Sequence, residues 1–140
     1  MNSVITLTLP GEIVFTRFAS QTALKAAEHF ISTCSGENVS WEFPHAFELA
    51  VSEAFTNAVR YSERHSTPTQ PVIITFILGQ QRLTVTVRDT NPAFTTETPL
   101  PDIDSFPERG FGLHIIRSVM DMVSYRRKNG SNIISMSKQL

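Results

Sequence analysis

The chain has 140 residues, 41% of them hydrophobic and 18% charged, with 12 basic against 13 acidic residues and a formal net charge of -1. That length suits a single domain over residues 1–140, and the apolar content excludes a disordered chain. Balanced charge gives no global attraction to nucleic acid or to an anionic membrane, so neither is expected as a direct partner. The start of the sequence, from Met1 to Leu9, lacks the basic segment and long apolar core of a secretion signal, and no apolar run approaches the roughly 20 residues of a membrane span, so a cytoplasmic location is expected. The lone cysteine, Cys34, has no partner for an internal disulfide and no cluster around it for zinc.

Taken in chain order, Val4 to Leu9 alternates apolar residues with threonines, the period of a half-buried strand, and Pro10-Gly11 ends it. A helix of good formers follows from Ser20 and stops before Ser35-Gly36. A second helix is predicted to start near Pro44 and to run to about Ser62, with the apolar stripe Phe47, Val51, Ala54 and Ala58. After a polar loop come two strands, Val72 to Leu78 and Leu83 to Arg88, joined by a short hairpin. The stretch from Asp89 to Glu108 carries Pro92, Pro99, Pro101 and Pro107 and little periodicity. It is expected to be a long lid-like loop over about 90–109, since structureless loops of that length in compact domains are commonly functional. Gly110-Phe-Gly-Leu then opens a third helix with the stripe Leu113, Ile116, Met120 and Val123. Asn129-Gly130 signals a hairpin between Val123–Arg127 and Asn132–Ser137. Helices and strands mixed without strict alternation point to the α+β class, with helices layered on one face of a mostly antiparallel sheet.

Three places along this order carry groups suited to chemistry. Glu53 and Asn57 stand four residues apart in the second helix, so their side chains stack on one face about one turn apart. The amide oxygen of Asn57 suits a Mg²⁺ that keeps waters and phosphates as its other ligands, and the carboxylate of Glu53 suits proton abstraction from an attacking hydroxyl. Arg60, a turn beyond Asn57, is placed to reach a phosphate. Asp89 stands where a strand ends and the lid-like segment begins, so its carboxylate could accept the exocyclic amine of adenine, with Asn91 allowing a tight turn past the base. At the head of the third helix, Gly110 and Gly112 permit close backbone approach to an anion, the first-turn amides supply donors, and Arg109 adds a cation. Taken singly, each feature also fits a plain solvated helix face, strand end or helix start. Their joint order is what points to a nucleotide.

These stations resemble the N, G1 and G2 boxes of the GHKL (Bergerat-fold) ATPase superfamily. The runs Glu48 to Val59, containing Ser52-Glu-Ala-Phe-Thr-Asn57, and Arg109 to Val123 resemble more narrowly the RsbW-type anti-sigma-factor serine kinases. The resemblance spans nearly the whole chain. It implies a two-layer α/β sandwich of the Bergerat (HATPase) type, with helices on one face of a mostly antiparallel mixed sheet and ATP and Mg²⁺ held between the helices under the lid. It assigns Glu53 as general base toward a substrate serine, Asn57 as the Mg²⁺ ligand and Asp89 as the adenine reader. Gly110 and Gly112 would line the phosphates in a segment that includes Phe111 and Leu113. The implied activity is an ATP-dependent protein serine/threonine kinase that acts as an anti-sigma factor. Its implied partners are a STAS-domain anti-anti-sigma protein as phosphorylation substrate, a sigma factor or another regulator, and a second copy in a homodimer. Two departures stand out: Asn91, followed by Pro92, replaces the glycine usual two residues after the aspartate, and only Lys25 approximates the basic residue that the family carries on the first helix.

Two other functions share the same nucleotide site. One is a histidine-kinase-type catalytic domain acting on a separate phosphoacceptor protein, since His29, His45, His65 and His114 read as surface or packing residues. The other is an ATP-binding regulatory module without kinase activity, in which Glu53 would have no proton to take.

Overall fold

The computed structural model describes residues 2–34, 41–64, 69–90 and 107–140, with backbone alone at 61–64 and 107–111. Within these, strand β1 (Ser3–Leu9), helix α1 (Thr16–Thr33) and helix α2 (Glu42–Arg64) precede the strands β2 (Val72–Leu78) and β3 (Arg82–Asp89). Helix α3 (Pro107–Val119) and the strands β4 (Met122–Lys128) and β5 (Ser131–Gln139) follow. The five strands form one sheet in the order β1-β2-β3-β5-β4, with every pairing antiparallel. This is the α+β class expected, two layers deep.

Strand alternation decides which face the helices cover. Register aligns Ile5, Phe76, Val85, Met136 and Val123 across the sheet, and Leu7, Ile74, Val87, Ile134 and Tyr125 in the next row. Of these, Phe76, Ile74, Val85 and Met136 are fully buried beneath the helices. The opposite face carries a row of hydroxyls across all five strands, Thr6, Thr75, Thr86, Ser135 and Ser124. β-branched and small polar residues satisfy the strand while tolerating water, which is how a single sheet keeps one face uncovered.

Helix α2 is the middle helix, in contact with both α1 and α3. It buries two adjacent stripes, one of Phe43, Phe47, Val51, Phe55 and Val59 and one of Ala46, Ala50, Ala54 and Ala58. Ala19, Ala23, Ala26 and Ala27 of α1 are buried likewise, and Phe30 stacks on Phe43 at 5.8 Å. Rows of alanine let helix backbones come close. A short 3-10 turn, Ile13–Phe15, leads into α1, which therefore begins ahead of the expected Ser20. At its other end, the Cys34 thiol donates to the Gln80 carbonyl at 3.1 Å, a packing role for the lone cysteine.

Helix α3 corrects two expectations. It begins at Pro107, so Gly110 and Gly112 lie within its first two turns and not at its mouth. Proline suits a first helical position because its φ is already helical and its missing N–H is one that the first turn leaves unpaired. Val123 is a β4 residue packed against the core, not part of the helix. Residues 91–106, the bulk of the expected lid and the site of Asn91, lie outside the described residues. Beyond α3, Asp121 pins the link to β4: its N–H donates to the Ser137 carbonyl at 2.9 Å and its carboxylate accepts the Gln139 N–H at 2.7 Å. That backbone donor holds its carboxyl below the usual carboxylate range, with Lys138 and Arg82 acting in the same direction. The β4–β5 hairpin turns through Asn129 and Gly130 with φ of 51° and 77°, the two positive values that a tight right-twisted hairpin requires.

Phe76 is 0% exposed at the centre of this interlayer core. Phe76→Ala should lower unfolding free energy by about 3–5 kcal/mol, a range set by large-to-small aromatic truncations. Urea denaturation, with the slope unchanged and the midpoint reduced, measures it.

Candidate functional site

Glu53 and Asn57 project from α2 alongside its alanine row, both half-buried. Helix α3 reaches them at Gly112, a buried residue. A Cβ built on Gly112 would stand 3.0 Å from Glu53 Oε2, 3.1 Å from Asn57 Nδ2 and 3.3 Å from Asn57 Oδ1. The carboxylate, the amide and the α3 backbone therefore meet at one point, and only a residue without a side chain leaves all three in place. Arg60 lies exposed one turn further along α2. The backbones of Arg109, Gly110 and Phe111 belong to the opening turns of α3, and Leu113 follows half-buried.

Asp89 closes β3 on the parity of Leu83, Val85 and Val87, all buried on the helix-facing side. It therefore ends the sheet on the same side as Glu53, Asn57 and Gly112. Register sets it beside Asn132, and Asn132 beside Arg127. The Asn132 amide donates to Asp89 Oδ1 at 3.0 Å, and Arg127 Nη1 donates to Asn132 Oδ1 at 2.8 Å. Tyr125 stands on the same parity as Arg127, one row inward. Burial pushes the Tyr125 hydroxyl well above its ordinary value, and the charge on Asp89 pushes it further against the opposing pull of Arg117. The phenol stays protonated at any physiological pH.

Chemically, the arrangement offers an acceptor and an amide on α2, a close-approach backbone on α3, and an anchored carboxylate at the sheet's end. Sequence reasoning missed Asn132, Arg127 and Tyr125. The signal was present for Asn132: it shares the parity of Ile134 and Met136, so a polar residue at that place faces inward and needs partners.

Gly112 has an ordinary helical backbone, so the sign of a substitution there reports the contact. In an exposed helix, Gly112→Leu would stabilise by up to about 1 kcal/mol. Against Glu53 and Asn57 it should instead destabilise by about 1–3 kcal/mol, as overpacking does, read by thermal or urea unfolding.

Comparison with known proteins bears on the family and the fold. The serine-protein kinase RsbW of Staphylococcus aureus, in strain JH9 and in strain Newman alike, is 30% identical over 102 residues, covering 66% of this chain and 64% of that protein. The chain thus spans just under two thirds of the length of these curated relatives. The solved structure of the Acinetobacter baumannii histidine kinase AdeS superposes with a TM-score of 0.55 at 16% identity, over 98% of this chain and 68% of that one, which shows a shared fold. Residues 18–138 match the model of the histidine kinase-like ATPase domain, and the chain belongs to that family.

Proposed function

We propose that the protein binds ATP with Mg²⁺ between its helix layer and the end of its sheet, and transfers the γ-phosphoryl group to a serine or threonine hydroxyl of another protein. The observation that carries this reading is the meeting of Glu53, Asn57 and Gly112. A Mg²⁺ ion takes one or two protein oxygens and completes its shell with phosphate and water. Among the described residues no group of three or more His, Cys, Asp or Glu side chains gathers to hold a metal, so Asn57 Oδ1 is the protein's share in this reading. When bound, the metal supplies neutralisation of phosphate charge.

In such a transfer the protein's task is positioning. The first-turn amides of α3 and the close approach at Gly112 hold the phosphates, with Arg60 and Arg109 as cations nearby. Asp89 accepts the adenine amine. Glu53 takes the proton of the attacking hydroxyl as its oxygen bonds to phosphorus and ADP departs. The similarity to RsbW supports a serine acceptor on a STAS-domain anti-anti-sigma protein, with a sigma factor or another regulator as the sequestered partner. The same reading makes the protein a cytoplasmic homodimer. Exposed apolar side chains on and beside the edge strand β1, Val4, Ile5, Val14 and Phe18, support a protein contact there.

Two measurements separate the roles. Glu53→Gln should retain Mg²⁺-ATP binding within about threefold while phosphoryl transfer falls by about 10²–10⁴, the contribution of a positioned base. Asn57→Ala should weaken binding in the presence of Mg²⁺ and change little in its absence, by calorimetry; equal losses from both variants would contradict the division of labour. Incubation with labelled ATP and purified STAS proteins tests the activity itself. Serine or threonine label on the STAS protein supports the kinase. Label on histidine of an added phosphoacceptor domain, or tight ATP binding with no transfer, overturns it.

A further inference from the structure

The side of the sheet that the helices leave uncovered has a charge of its own. Arg88 on β3 and Arg126 on β4 flank Ile133 on β5, and Lys128 on β4 pairs with Ser131 on β5. All five residues share the parity of Thr86, Ser135 and Ser124, so they belong to the uncovered face. Arg88 Nε donates to Ser131 Oγ at 3.0 Å, so the Arg88 side chain is laid over β5, beside the strand that carries Lys128. Two strand spacings set the stems of Arg88 and Arg126 roughly 10 Å apart, with the half-buried Ile133 between them. Arg88, Arg126 and Lys128 are all exposed. Among the described residues none of the three is in an ion pair, and no acidic strand residue shares their face. Cations this close lie within about one screening length at 0.1 M salt, so they repel one another and together attract an anionic surface.

We propose that this end of the uncovered face docks an acidic segment of a partner protein, in which carboxylates flank an apolar side chain. The carboxylates meet Arg88, Arg126 and Lys128, and the apolar group rests on Ile133. Charge complementarity selects that occupant. Edge strands commonly carry cations only to deter unwanted pairing, which would account for Arg126 and Lys128 on the outermost strand β4. It does not account for Arg88, which stands on the interior strand β3. Single-stranded nucleic acid fits less well, because no aromatic strand residue on this face offers a base a stacking platform. The face points away from the helix layer that holds Glu53, Asn57 and Gly112, so the inference goes beyond the nucleotide reading and stands without it.

The test is fluorescence anisotropy on the full chain at about 0.1 M salt, where charges are screened beyond roughly 10 Å. The probe is a labelled Glu-Glu-Leu-Glu-Glu peptide, a Lys-Lys-Leu-Lys-Lys peptide is its charge opposite, and thermal melting checks folding. The parent should bind the acidic peptide. Arg88→Glu/Arg126→Glu should bind it at least about tenfold more weakly, the factor corresponding to 1.4 kcal/mol, and should take up the basic peptide instead. Lys128→Glu, a single change at an exposed position, should weaken binding by about threefold, and decides the matter if the double variant does not fold. Arg82→Glu, on the same face but six residues or roughly 20 Å along β3 from Arg88, should keep the affinity within about twofold. A loss from Arg82→Glu as large as that from the other variants would mean diffuse attraction and overturn the site. Tighter binding of an oligothymidine or of phosphatidylserine vesicles than of the peptide would overturn the class of partner. A parent that binds no acidic peptide would overturn the proposal outright, as would charge-reversed variants that aggregate yet bind as the parent does.

Discussion

The approach of α3 to α2 at Gly112 is the contact on which the candidate site depends. An i,i+4 carboxylate and amide on a helix are ordinarily a solvated surface, because each is well hydrated and neither needs the other. Here a second helix comes so near that a Cβ placed on its Gly112 would lie 3.0 Å from Glu53 Oε2 and 3.1 Å from Asn57 Nδ2. The two side chains thus face peptide where a lone helix would leave them to water. The alanine row on α2 belongs to the same design. Ala46, Ala50, Ala54 and Ala58 keep that flank of α2 low, so a partner helix can come near without displacing the polar pair.

The sheet is graded in a way that suits this placement. At the end of its helix-facing side Leu9 pairs with Val72, and Asn132 pairs with Asp89 on one side and Arg127 on the other. The first two are buried apolar residues, and the other three form a hydrogen-bonded chain with a neutral amide between opposite charges. Burying Asn132 beside a carboxylate is favourable only because every polar atom in the chain is paired, for an unpaired one would cost about 1–3 kcal/mol. No buried side-chain nitrogen or oxygen among the described residues lacks a partner. The row thus sets a hydrogen-bonded polar rim at the end of a largely apolar interlayer.

Much of this was legible in the sequence because periodicity was strong where burial is one-sided. The strands Val72–Leu78 and Leu83–Arg88 alternate so regularly that pairing could shift their limits by only a residue. The Glu53, Asn57 and Gly112 positions were legible too, through residue type and spacing. What spacing could not convey was depth. Gly110 and Gly112 read as a helix mouth because glycine is a poor helix former, whereas Pro107 starts α3 a turn earlier. Asn132 and Arg127 escaped notice since their importance arises from register across three strands, 43 residues from Asp89 in the chain in the case of Asn132. Pairing of that range is fixed by the hydrophobic pattern of whole strands, not by any local signal.

Fold and chemistry separate at Glu53. The likeness to AdeS extends over 98% of the chain at 16% identity, a level at which shared architecture carries no statement about the acceptor of a phosphoryl group. In the proposed reading, binding a nucleotide asks only for Asn57, the α3 backbone and Asp89. A weakly nucleophilic hydroxyl asks for more, because its proton must leave as the new bond forms, and a base within hydrogen-bond reach is the direct means. Glu53 is one helical turn from Asn57 and faces the same glycine of α3, so in the proposed reading the base shares its wall with the phosphates. Moving it by a single residue along α2 would turn it about 100° away. On the proposed reading, the carboxylate's register relative to Asn57, more than the fold around it, is what would distinguish a hydroxyl kinase from a nucleotide-holding module.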